Sequence, residues 1–234
     1  MNIKVLQLIE GAKQATGVTV VIDVFRAMSV EAYLMAGGAD KIIPVGDINL
    51  AYQYKKEHPE YILIGERHGK ICEGFDFGNS PSQVQGYDFG GKTVVHTTSA
   101  GTQGIANALH AEKILTGSLN NAAAIANYIK ALNPEEVSLV CMGLEAKAPT
   151  EEDTLCANYI KSILEGKTME FSKEIEELKS TSGAKFFDKA QQDVFPEEDF
   201  YLSTKVDIFP FVLELVQQEE GPAYMKKIDC AQME

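Results

Sequence analysis

TGVTVVIDVFRAMSVEAYLMAGGADKIIPVGD, residues 16–47, sets an apolar run, a helical pattern and a second apolar run in direct succession. TGVTVVIDVF (16–25) is bounded by Gly17 and has the unbroken Val/Ile character of a strand buried on both faces. RAMSVEAYLMAGG (26–38) spaces Ala, Leu and Met at helical intervals and stops at Gly37-Gly38. ADKIIPVGD then reads as a short strand ending in a turn.

The alternation continues. INLAYQYKKEH (48–58) is a helix closed by His58-Pro59, and EYILIGE (60–66), GKTVVHTTS (91–99), AEKILTGS (111–118) and VSLVCMG (137–143) are buried-strand candidates. Helices fit GTQGIANALH (101–110), LNNAAAIANYIKAL (119–132) and TEEDTLCANYIKSIL (150–164). Strands separated by helices predict parallel pairing and an α/β fold, a three-layer sandwich with a largely parallel sheet. VVIDVFRAMSVEAYLMAGGADKII (20–43) and TVVHTTSAGTQGIANALHAEKIL (93–115) share an order of elements, which points to an internal βαβ repeat; two ordinary βαβ units have the same look. The polar stretch 165–200 reads as two helices broken at Ser182-Gly183, with Asp193 to Asp199 as a loop. KVDIFPFVLELV (205–216) is a last strand or a docking arm. No linker-like composition divides the chain, so residues 1–234 are expected to form one unit.

Composition limits the function classes. The chain is 45% hydrophobic and 24% charged, as in an ordinary soluble protein, and no apolar run reaches the roughly 18 residues of a membrane span. MNIKVLQLIEGAKQ has no apolar core of a signal peptide, so a cytoplasmic location is expected. The formal charge of −13 argues against nucleic acid as a partner. Four scattered cysteines without a C-x-x-C pair argue against a zinc knuckle or a disulfide framework. A homodimer is the commonest assembly of soluble oligomeric proteins and is the expectation here.

In a parallel α/β sheet ligands collect beyond the carboxyl ends of the strands. This chain puts polar chemistry there. Asp23 and Arg26 follow the first buried strand; Glu66, Arg67 and His68 follow strand 60–66; His96 and TTSAGT (97–102) follow TVV; Thr150-Glu-Glu-Asp opens a helix after VSLVC. Arg26 and Arg67 are the only two arginines of the chain. A guanidinium fork suits a bidentate phosphate or sulfonate, although Arg26 pairing with Asp23 is the alternative. Asp23 is either a helix N-cap or a Mg²⁺ ligand or phosphoryl acceptor. The hydroxyls and amides of Thr97, Thr98, Ser99, Gly101 and Thr102 suit an anion, or else Ser99 or Thr102 is a plain N-cap. Thr150 to Asp153 fits a capping box, or else supplies Glu152 and Asp153 to an oxygen-rich Mg²⁺ site. H-E-x-x-H, G-x-S-x-G and G-x-G-x-x-G are all absent.

VVIDVFRA (20–27), GERHGKICEGFDFGNSP (65–81), TTSAGT (97–102), CMG with EED (141–153) and DFYLSTKVDIFP (199–210) together resemble the 2-phosphosulfolactate phosphatase (ComB) family. The resemblance implies a Mg²⁺-dependent phosphatase that hydrolyses (2R)-phospho-3-sulfolactate to sulfolactate and phosphate, as in coenzyme M biosynthesis. A phosphatase of a related phosphorylated hydroxy acid and a non-catalytic binder of small anions are the alternatives. The mechanism expected from the strand-end residues has Asp23 with Glu66, Glu152 or Asp153 holding Mg²⁺. Arg26 and Arg67 grip the anionic groups, and the attacking group is water or Asp23.

Overall fold

The structure, a computed structural model, describes residues 1–230. Its strands are β1 (Asn2–Gln7), β2 (Gly17–Ile22), β3 (Lys41–Pro44), β4 (Ile62–Arg67), β5 (Lys70–Ile71), β6 (Thr93–Thr97), β7 (Ala111–Gly117), β8 (Glu136–Cys141), β9 (Phe211–Val216) and β10 (Tyr224–Asp229). The helices are α1 (Leu8–Gln14), α2 (Ala27–Ala36), α3 (Ile48–Glu57), α4 (Pro81–Val84), α5 (Gly101–Asn107), α6 (Ala122–Leu132), α7 (Glu151–Leu164), α8 (Ser172–Leu178) and α9 (Glu197–Ser203). They form a three-layer α/β sandwich around one ten-stranded sheet ordered β1-β8-β2-β7-β9-β10-β3-β6-β4-β5. No helix among the described residues is long and apolar enough to cross a membrane.

Two parallel blocks make up most of the sheet. β1, β8, β2 and β7 run one way, and β3, β6 and β4 run the other. The antiparallel hairpin β9–β10 joins them, pairing with β7 on one side and β3 on the other. The sequence segments β2-α2-β3-α3-β4 and β6-α5-β7-α6-β8 occupy matching positions about that hairpin. Each block takes its middle strand, β2 or β6, from one segment and that strand's two neighbours from the other. The element order shared by residues 20–43 and 93–115 therefore extends to topology, with strands exchanged between the blocks.

Helix α2 is buried on nearly every side, from Ala27 to Met35. A helix without a polar face belongs in an interior. Its one charge, Glu31, is fully buried and needs partners there. It accepts from the hydroxyl of Thr116 on β7 (3.0 Å) and pairs with His96 Nδ1 on β6 (3.0 Å). That polar link fastens the two sheet blocks to the same helix.

Local readings hold for the central elements and miss the edges. β1 has the partly exposed pattern of an edge strand, too mixed in polarity to stand out in sequence. Between 165 and 200 the break falls where expected, but the second piece is only a 3₁₀ turn, Ala184–Phe187. The loop expected over Asp193 to Asp199 is cut short because α9 begins at Glu197, directly after Pro196. KVDIFPFVLELV becomes strand only from Phe211, so it joins the central hairpin.

Candidate active site

A small cleft of about 110 Å³ lies where β2, β4, β6 and β8 end. Asp23, Arg26, Glu66, Ser99 and Gly143 line it from those strand ends. Asn79 from the loop before α4, and Lys185 and Phe195 from the 165–200 segment, complete the wall.

Asp23 follows β2 and precedes α2. One carboxylate oxygen, Oδ1, accepts the N–H of Ala27, the first residue of α2 (3.2 Å). Asp23 is nevertheless not the N-cap: that position is Arg26, the helix starts four positions after Asp23, and Asp23 faces the cleft. Oδ2 has no hydrogen-bond partner among the described residues. Burial, with the nearby carboxylates of Glu66 and Glu152, pushes the Asp23 pKa up to about 7.

Glu66 ends β4 and is held tightly. Its carboxylate accepts the N–H of Ser99 (2.6 Å), the N–H of Gly69 (2.7 Å) and the Ser99 hydroxyl (3.2 Å). Gly69 has φ +79°, and a Cβ there would strike the Phe195 ring at 2.5 Å, so the turn that delivers its N–H requires glycine. Glu66 thus ties the end of β4 to the end of β6.

Arg26 is nearly fully buried. Its guanidinium donates to Asp199 Oδ2 (2.7 Å) and to the Val194 carbonyl (2.9 Å), and lies 4.9 Å from the Phe195 ring centre. Asp199, not Asp23, is its ion-pair partner. Through Oδ1, Asp199 also accepts the Ser80 hydroxyl and the Ser82 N–H, both at 2.9 Å.

Several expected site residues point elsewhere. Arg67 follows Glu66 on a strand, where successive side chains take opposite faces. It donates to Thr97 Oγ1 (2.9 Å) and the Glu66 carbonyl (2.7 Å), and it does not line the cleft. Thr97 is occupied by that bond. Thr98 and Thr102 satisfy each other: the N–H of Thr98 donates to Thr102 Oγ1 (2.9 Å), and the N–H of Thr102 donates to Thr98 Oγ1 (3.1 Å). Of TTSAGT, only Ser99 and Ala100 reach the cleft wall. Gly101 has a packing role, because a Cβ there would meet Met28 Cε at 2.6 Å, Ala27 Cβ at 2.7 Å and Asp23 Oδ2 at 3.0 Å. Gly101→Val is expected to force α5 away from α2 and destabilise the fold by about 1–3 kcal/mol, measured as a fall in the urea midpoint.

Of the four carboxylates expected around a metal, Asp23 and Glu66 line the cleft, and Glu152 and Asp153 lie buried behind its lining. Asp153 accepts the Val24 N–H and the Gly143 N–H, both at 2.8 Å, and its role is to pin the loops after β2 and β8. Burial, then the charges of Glu152 and Asp23, hold its carboxyl well above the usual range. Glu152 is also buried behind the lining, and its Oε2 has no hydrogen-bond partner. Among the described residues no group of three His, Cys, Asp or Glu is arranged to hold a metal. Of the four expected carboxylates, Asp23 and Glu66 share the cleft, with Glu145 a further carboxylate on its wall.

Sequence reasoning missed Asn79, Lys185, Phe195 and Asp199. Asn79 belongs to the Gly-Asn-Ser-Pro end of a stretch already singled out, yet it lines the cleft, with its Oδ1 3.3 Å from His96 Nε2. Lys185 and Phe195 lie in the 165–200 segment, where no local pattern marks them; Asp199 opens DFYLSTKVDIFP, a stretch that carries the resemblance without a role implied for it.

Known proteins give the same picture at the level of the whole chain. The family model described as 2-phosphosulpholactate phosphatase matches residues 3–218. A Bacillus subtilis protein named probable 2-phosphosulfolactate phosphatase is 32% identical over 213 residues, covering 90% of this chain and 92% of the relative. A Carboxydothermus hydrogenoformans protein of the same name is 40% identical over 174 residues, 74% of this chain and 71% of the relative. One from Caldicellulosiruptor saccharolyticus is 43% identical over 144 residues, 60% and 59% of the two chains. With strand-end acids, a buried arginine and a match of this extent, the chain belongs to the 2-phosphosulpholactate phosphatase family.

Proposed function

We propose that this chain is a phosphoric monoester hydrolase that releases phosphate from (2R)-phospho-3-sulfolactate with the help of Mg²⁺, a reaction of the coenzyme M biosynthetic type carried out in the cytoplasm. The observation that carries the reading is the meeting of Asp23, Glu66 and Arg26 at one cleft in a chain of this family.

The donor set fits Mg²⁺. This ion is usually held by one or two carboxylates, with water and substrate phosphate filling the remaining positions. Asp23 and Glu66 are two carboxylates on one cleft, and Asp23 Oδ2 is uncommitted; Asp153 and Glu152 are not needed as ligands. When bound, the ion supplies positive charge to the phosphoryl oxygens. The remaining roles belong to the chain. Arg26, immobilised by Asp199, presents a fixed positive edge to an anionic group of the substrate. Glu66 holds Ser99 at the wall, and Gly69 with Phe195 closes the cleft beside it. Fixed charge and alignment of this kind must supply most of a barrier reduction of roughly 20 kcal/mol for a phosphate monoester.

Phosphate release from phosphosulfolactate tests the reading, with and without Mg²⁺ and across a panel of phosphorylated hydroxy acids. The expected result is Mg²⁺-dependent turnover, abolished by chelator, with phosphosulfolactate the best substrate of the panel. Turnover unaffected by chelator removes the metal, and a better substrate elsewhere in the panel changes the specificity. Binding without phosphate release leaves only an anion-binding protein. Isolation of a phosphoenzyme on Asp23 would separate covalent transfer from direct attack by water.

A further inference from the structure

Lys185 stands on the 3₁₀ turn Ala184–Phe187 and lines the same cleft as Asp23 and Glu66. Its ammonium lies against three aromatic rings, 5.3 Å from the centre of Phe195, 5.4 Å from Phe186 and 6.0 Å from Phe25. The acids that act on it are Glu152, Asp23 and Asp153, while Arg26 repels it. Among the described residues, Lys185 has no hydrogen-bond or ion-pair partner within the 4.0 Å of a salt bridge. The other cations near the site are committed: Arg26 to Asp199, Arg67 to Thr97.

An ammonium in that setting meets an incoming anion without first breaking an existing pair. The aromatic walls also keep its surroundings poor in water, where charge attraction is stronger. We propose that Lys185 is a catalytic residue that contacts the phosphoryl group and stabilises its charge during transfer. This rests on the phosphatase reading above and adds to it a contact from a segment whose sequence shows no catalytic motif.

The test compares wild type with Lys185→Met, which keeps the apolar stem, and Lys185→Arg, which keeps the charge. For Lys185→Met, kcat/KM should fall ~10²–10³-fold, with thermal midpoint unchanged. Lys185→Arg should recover ~10-fold of that loss, and inorganic phosphate should bind Lys185→Met ~10-fold more weakly than wild type by calorimetry. Wild-type kinetics in Lys185→Met overturn the proposal. So does a loss of activity that Lys185→Arg does not relieve, with phosphate affinity unchanged. If wild type releases no phosphate from any phosphorylated hydroxy acid, the phosphatase reading falls by itself. The calorimetric comparison then still decides whether Lys185 holds a phosphate. Should Lys185→Met fail to fold, Lys185→Gln takes its place in each measurement.

Discussion

Asp23→Asn is expected to abolish phosphate release and, at the same time, to make the protein more stable above neutral pH. The activity loss follows from removing a charged oxygen from the cleft, and a fall of ~10³-fold or more in kcat is expected. The stability gain follows from the pKa shift. Burial raises the Asp23 carboxyl from 3.8 to about 7, so between those values the folded protein holds a proton that the unfolded chain has lost. Stability therefore falls as pH rises from about 4 through 7, by about 2–4 kcal/mol when metal is absent. Asparagine retains an oxygen for the Ala27 N–H and carries no charge to desolvate. Urea titrations of metal-free wild type and Asp23→Asn at pH 5 and pH 8 measure the effect. The variant should already be ahead at pH 5, by about 1–2 kcal/mol, and its advantage should widen further at pH 8. A wild-type midpoint that does not decline between those pH values contradicts the argument.

Asp199→Ala is expected to cost about 3–5 kcal/mol, the usual penalty for leaving one member of a buried ion pair unpaired. The Asp199 carboxylate is fully buried and serves Arg26, the Ser80 hydroxyl and the Ser82 N–H together. Its loss leaves the Ser82 N–H without its acceptor and Arg26 without its counter-charge, with only the Val194 carbonyl left on that nitrogen. Activity should fall as well, by about 10²-fold, because Arg26 loses the contact that orients it. Chemical denaturation gives the first effect and kcat/KM of the folded fraction gives the second. Arg26→Lys is a complementary probe. A single ammonium can stand in for the one nitrogen that donates to both Asp199 and the Val194 carbonyl, but it has no second nitrogen to reach the Gly69 carbonyl (3.4 Å) on the cleft wall, so the exchange is not conservative. Stability within about 1 kcal/mol of wild type in Asp199→Ala would show that the pair contributes little to the fold.

The central strands and helices are legible because their apolar residues recur at the period of the element they form. α2 and α7 have recognisable starts, β2 is nearly continuous Val and Ile, and β6 and β8 carry shorter Val and Leu runs. Asp23, Glu66 and Ser99 are legible for a different reason: they follow buried strands, and strand ends gather ligands in α/β sheets. Arg67 shares that sequence signal but sits one position later, and the alternation of a strand sends it away from Glu66. Thr98 and Thr102 also share it, but a four-residue spacing lets each hydroxyl satisfy the other's backbone N–H. The acidic start of α7 offers no hint that Asp153 serves two loops 10 and 129 positions away.

By itself, the sequence determined the order of the central strands and helices, the parallel character of the blocks, the family and the acids at the strand ends. These depend on periodicity and on adjacency along the chain. Only the tertiary structure decided which of those acids share a cleft, which arginine reaches it, and that Lys185, Phe195 and Asp199 belong beside them. The two segments exchange strands across the β9–β10 hairpin, so the site is assembled from residues up to 173 positions apart. Local periodicity records which face of an element is buried; it carries no record of what that face is buried against.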